Sequence, residues 1–144
     1  MSVRTGDRGQ GDLQVINVSK DLLSYTYDRV KDTNIFPKAQ RWLLAKNIWD
    51  EAVGARKCIV KANAIRVETS DEAMERLRLE KEALGCLDTL ETLIDLANMK
   101  DLIDDRRAEY WGGLVVQTLT LLKGWLKSDR ARYKPLIDEK GKIG

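Results

Sequence analysis

Residues 45–62 read AKNIWDEAVGARKCIVKA, and their spacing decides the fold. Ala45, Ile48, Ala52, Ala55, Ile59 and Ala62 step by three and four without a break. That is the two-per-heptad stripe of a helix packed along its length on a neighbouring helix. Most stripe residues are small, so the neighbour can approach closely. Pro37 stands upstream, where a helix's first turn does not need the N–H that Pro lacks. Trp42 and Trp49 lie off the stripe, seven residues apart, and form a bulkier second ridge. A helix with two apolar ridges can face one neighbour in its own bundle and one in another subunit, so oligomerisation is expected.

Working outward, three more segments read as helices. The first runs from about Leu13 or Ser19 to Lys31, with Ser19 as a candidate N-cap and Ile16, Leu23, Tyr27 and Val30 on one face. Asp32-Thr33-Asn34 ends it. The third opens at Thr69, where Thr69-x-x-Glu72 forms a capping box. Its apolar stripe is Met74, Leu77, Leu84, Leu87, Leu90, Ile94 and Ala97, and it fades at Met99 to Lys100. Asp104 or Asp105 caps the fourth. There Trp111, Leu114, Thr118, Leu121 and Trp125 share a face, and Val115, Leu119, Leu122 and Leu126 form an adjacent stripe, wider than one bundle core needs. Gly112, Gly113 and Gly124 inside this helix suggest close packing against another backbone. The expected fold is all-α: an antiparallel up-down-up-down four-helix bundle over residues 13–129. A disordered tail is expected at 1–12 and a basic flexible tail at 130–144.

Composition narrows the chemistry. The chain has 144 residues, enough for one domain, with 43% hydrophobic and 33% charged residues. It has no His, which removes Ser-His and Cys-His nucleophile pairs, His metal ligands and the Glu-x-x-His di-iron site of some bundles. Cys58 and Cys86 have no CxxC spacing and read as reduced thiols in small core positions. Glu72, Glu75, Glu80 and Glu82 read as a solvated helix face. No enzyme activity, metal or cofactor is expected. No apolar run suits a signal peptide or a membrane span, which makes a cytoplasmic protein the expectation.

The formal net charge of +2 conceals strong polarity. Residues 38–66 carry seven bases against two acids, residues 71–100 four against eight, and residues 123–142 seven against three. The candidate phosphate- or partner-binding residues are Arg41, Lys46, Arg56, Lys57, Lys61 and Arg66, with Lys123, Lys127 and Arg130 on the fourth helix. A solvated face and, at the end of the fourth helix, stabilisation of the helix dipole compete with that reading. The candidate subunit-interface residues are Trp42, Trp49, Trp111 and Trp125.

Three stretches carry a family resemblance. FPKAQRWLL (36–44) resembles the F-P-K-x-x-R-F-x-L opening of the second helix in a family of small bacterial four-helix-bundle proteins. LDTLETLIDLANM (87–99) is similar to that family's L-x-x-L-x-x-L-x-x-L-A third helix, and LLKGWLKS (121–128) to its L-G-G-W-I-K-S ending. The family includes rRNA intervening-sequence proteins and the accessory variability determinants of diversity-generating retroelements, and the G-W-[IL]-K-S ending points to the latter. Lys123 and Leu126 depart from the motif, which has Gly and Ile there. The resemblance implies a ring- or barrel-shaped homopentamer without catalytic activity. It implies binding to a reverse transcriptase and its template RNA, or to cDNA or an RNA–DNA hybrid, in support of mutagenic cDNA synthesis and retrohoming. An intervening-sequence-type protein or a helical protein-binding adaptor is the alternative.

Overall fold

The stripe at 45–62 is buried along its whole length, with none of its six residues more than 6% exposed. It belongs to one of four helices in a computed structural model, which describes the backbone of residues 3–143 and the side chains of residues 14–139. The helices are α1 (Val3–Val30), α2 (Lys46–Ala64), α3 (Ser70–Met99) and α4 (Asp105–Ile143). Helix α1 packs on α2 and α4, and α3 packs on the same two. Arg56 meets Ile16, Cys58 meets Glu82, Arg76 meets Asp129 and Trp111 meets Thr26, so every adjacent pair is antiparallel. The described residues form an all-helical four-helix bundle without strands.

Each helix turns a heptad-spaced row into the core. Val15, Ser19, Leu22 and Thr26 do so on α1, and Ala83, Leu87, Leu90, Ile94 and Ala97 on α3. On α4 the row is Trp111, Val115, Thr118, Leu122 and Trp125. The α1 row lies one position from the face read off the sequence: Tyr27 is 51% exposed, and Ile16, Leu23 and Val30 are half-buried. Small polar groups at Ser19 and Thr26 caused the shift, because both are buried with partners. Ser19 lies within α1 and is not its N-cap; its Oγ donates to the Ile16 carbonyl oxygen and accepts from Arg56 Nη1.

The turns follow local chemistry. The Asn34 amide donates to Asp32 Oδ1 at 2.9 Å where α1 ends. At Thr69 the capping box is complete: the Glu72 amide donates to Thr69 Oγ1, and Glu72 Oε1 accepts from the Thr69 amide. The Arg107 amide donates to Asp104 Oδ1 at 2.8 Å and starts α4. Pro37 is not followed directly by regular α-helix. A 3-10 turn (Lys38–Gln40) and one π-helical turn (Arg41–Ala45) come first. The wide turn frees carbonyls that an α-helix would occupy. Asn47 Nδ2 answers by donating to the Leu43 oxygen at 3.1 Å. Leu44 and Ala45 thereby reach the core while Trp42 and Leu43 point outward.

Other expectations need correction. Helix α1 takes in residues 3–12, read as a tail, although their side chains lie outside the described residues. Helix α4 continues through residues 130–143 despite Pro135. Half-buried Leu136 and Ile137 and the Lys134–Asp138 pair at 3.0 Å accompany that continuation. The glycines of α4 mark no close approach within the bundle, since a Cβ at Gly112, Gly113 or Gly124 would meet nothing within 4 Å. The tight approach is at Gly54, where a Cβ would sit 3.1 Å from Cys86 Sγ. Among the described residues no helix is long and apolar enough to cross a membrane.

Candidate nucleic-acid interface

The core rows of α3 and α4 become ionic towards the α2–α3 turn. Stepping down α3 from Ala83 by three and four gives Glu80, Arg76 and Ala73, and stepping along α4 from Trp125 gives Asp129. Glu80 and Asp129 are fully buried and Arg76 nearly so. Arg76 Nε donates to Asp129 Oδ2 at 2.7 Å and lies 3.5 Å from Glu80 Oε2, while its Nη1 donates to the Ile65 carbonyl oxygen at 3.2 Å. Burial opposes the Arg76 charge, but the hydrogen bond and attraction of Asp129 outweigh it and raise the guanidinium's pKa. The cation is therefore fixed and permanent. Glu80 is thus a core residue and not part of a solvated acidic face. Glu72, Glu75 and Glu82 carry the exposed hydrogen bonds and ion pairs of that face.

The nine candidate bases divide into three groups. Arg56 is half-buried and structural: its Nη1 donates to the Ile16 oxygen at 2.6 Å and Ser19 Oγ at 2.8 Å, tying α2 to α1. Lys46 is exposed but paired with Asp50 at 2.8 Å. Arg41, Lys57, Lys61, Arg66, Lys123, Lys127 and Arg130 are exposed, and among the described residues none has a carboxylate within ion-pair distance. Lys61 faces acids across the α2–α3 groove. Glu75 is held below the usual carboxylate value mainly by Arg78, and Glu82 mainly by the Cys58 thiol and Arg78; Lys61 adds a smaller pull on both.

Lys123, Lys127 and Arg130 follow one another at steps of four and three, so they form a single row on the outer side of α4. Lys57 and Lys61 of α2 do not join that row. Helices α2 and α4 are diagonal in the bundle, with α1 and α3 between them. Both sets nonetheless lie in the half of the bundle nearest the α2–α3 turn, as the Cys58–Glu82 and Arg76–Asp129 contacts fix the levels. Periodicity within each helix located the outward cations but not the diagonal placement.

The four tryptophans also divide. Trp111 is fully buried, donates from Nε1 to Thr26 Oγ1 at 3.0 Å, and packs edge-on against Tyr25 and Phe36. Trp125 is 6% exposed, with the Arg76 guanidinium 5.0 Å from its ring. Both are core residues of one chain, which corrects their assignment to a subunit contact. Trp49 is half-buried against Tyr27, ring centroids 5.7 Å apart. Trp42 is 69% exposed and Leu43 beside it 72%, a large apolar pair directed at solvent.

The thiols are quiet. Burial, then the hydrogen bond to Glu82, pushes Cys58 up to about 12, and burial pushes Cys86 up to about 11. Among the described residues no group of three or more metal-ligating side chains converges. Sequence reasoning missed Arg76, Asp129 and Arg132 as a linked set. Extending the two heptad rows to their charged members would have found the first two. No family model, curated protein or solved structure matches this chain.

Proposed function

We propose that the protein is a non-enzymatic, RNA-binding accessory protein of a reverse-transcriptase ribonucleoprotein, working as a homo-oligomer. The observation that carries this reading is the row Lys123, Lys127 and Arg130: three exposed cations on one helix face, without carboxylate partners among the described residues. A helix that needed these bases only for its dipole would hold them in its last turn, yet α4 runs on to Ile143. Phosphate contacts of this kind are electrostatic and tolerant of sequence. Lys57 and Arg66 add a second exposed set towards the same end. The G-W-L-K-S ending (124–128), similar to the accessory variability determinants, supplies the specific partners: a reverse transcriptase and its template RNA. It also supplies the pentamer, in which repeated weak patches multiply avidity. Trp42 and Leu43, adjacent and directed at solvent, are the apolar pair that would make a contact between subunits.

The test is co-expression with a reverse transcriptase encoded beside the gene, followed by size-exclusion chromatography with light scattering. The expected result is co-elution of enzyme and RNA with an assembly of five chains, weakened when Lys123, Lys127 and Arg130 are changed to Glu. Elution of the protein alone, free of both partners, would refute the proposal.

A further inference from the structure

At the end of the bundle the α2–α3 turn closes over a concave space of about 430 Å³. Ile65 leaves α2 in an extended conformation (φ −77°, ψ 116°), and Asn63 of α2 and Arg66 of the turn line the space. Arg132 and Tyr133 line it from α4, and Arg76 from α3. Three arginines from three parts of the chain thus border one pocket.

Its parts are braced. Arg76 is held by Asp129 and by the Ile65 carbonyl oxygen. Arg132 Nη1 donates to Asp129 Oδ1 at 3.1 Å, with its side chain 27% exposed. The Arg132 and Arg76 guanidiniums lie 5.6 and 6.0 Å from the Tyr133 ring. Arg66 is exposed, and among the described residues no carboxylate lies within ion-pair distance of it.

The charged residues that line the pocket favour an anion. They are Arg66, Arg76 and Arg132, with no carboxylate among them; Asp129 and Glu80 are buried against Arg76, and Glu68, Asp71, Glu72 and Glu75 line the neighbouring concavity that Arg66 also borders. The C-terminal end of α2 opposes this by roughly half a charge, and one of its flanking carbonyls, that of Ile65, is already occupied by Arg76. The pocket is large enough for a phosphate with an attached sugar. Guanidinium forks match phosphate oxygens in pairs, which favours phosphate over a spherical anion.

The geometry points to a phosphate-binding pocket formed by Arg66 and Arg132, with Arg76 and Tyr133 as its braced wall. It is separate from the Lys123–Arg130 row, and its ligand is a phosphate group, either free or carried by an RNA. The test uses the full chain and follows the arginine Nε–H resonances by NMR. Inorganic phosphate should shift Arg66 and Arg132 saturably in the millimolar range, where chloride at equal ionic strength does not. Arg66→Ala should weaken this about tenfold, the loss expected for one charge-assisted hydrogen-bonding group. Arg66 is exposed and has no hydrogen bond or ion pair among the described residues, so the variant should melt like the parent. Short oligoribonucleotides with a 5′-phosphate or a 5′-hydroxyl separate the two sources. Tighter binding of the phosphorylated form assigns the pocket to RNA, and equal weak binding assigns it to a free phosphate ligand. Shifts that do not saturate, or that persist unchanged in Arg66→Ala, would overturn the pocket. Loss of RNA binding on charge reversal of Lys123, Lys127 and Arg130 with phosphate shifts retained would leave the pocket standing on its own.

Discussion

Replacing Asp129 with Ala strikes the one place where, among the described residues, this bundle holds charge in its core. Asp129 is fully buried and accepts from Arg76 at 2.7 Å and from Arg132 at 3.1 Å. Removing one member of a buried pair strands the other and costs about 3–5 kcal/mol. Glu80, 3.5 Å from Arg76, remains as a partial counter-charge, so the lower end applies, about 3 kcal/mol. For a chain of this size that is a fall of about 10 °C in Tm. Urea unfolding followed by tryptophan fluorescence reads it directly, since Trp111 and Trp125 are buried. The midpoint should drop while the slope stays fixed, because the surface exposed on unfolding is unchanged. Lys46→Ala is the control: it breaks an exposed pair at 2.8 Å and should cost less than about 0.5 kcal/mol. If Asp129→Ala loses no more stability than Lys46→Ala, the ionic layer is not a buried one and the reasoning fails.

Trp111→Ala should cost about 3–5 kcal/mol by thermal melt, as a fully buried indole leaves a cavity and an unpaired Thr26 hydroxyl. Trp42→Ala, at an exposed site, should leave the melting of a dissociated chain nearly unchanged while weakening self-association measured by sedimentation. Thr69→Ala removes the α3 cap and should cost about 1 kcal/mol in urea unfolding. Backbone amides of Glu68 and Thr69 lower the Glu72 pKa. Its contribution is therefore present above the unfolded value and lost as pH falls through the folded one. An acid titration of stability should steepen below about 4.5, less so in Glu72→Gln. Cys58, with its thiol pushed up to about 12, should resist alkylation at neutral pH until the chain unfolds.

The helices were legible because their signals are local. A capping box at Thr69 and an unbroken small-residue stripe at 45–62 need no tertiary context, and both stand in the structure. Residues whose burial depends on a distant partner were misread. Ser19 resembles a cap until Arg56 is brought to it from 37 residues away, and Thr26 is polar until Trp111 donates to it from 85. Glu80 belongs to the acidic run of α3 by composition, yet it shares the core layer with Arg76 and Asp129. The widened turn at Arg41–Ala45 was also hidden, since its compensation is a side chain, Asn47, that counts as ordinary helix surface in a sequence. Exposure of the cations Lys57, Lys61, Lys123, Lys127 and Arg130 followed from helical periodicity, but their division between diagonal helices required the packing.

The claim on which the functional reading rests is that Lys123, Lys127 and Arg130 grip phosphate. The salt dependence of affinity for single-stranded RNA tests it most directly. Each phosphate contact contributes about −0.7 to the slope of log K against log salt, so changing all three residues to Ala should flatten the slope by about 2. A slope unchanged by the triple substitution, in a protein that melts like the parent, would contradict it.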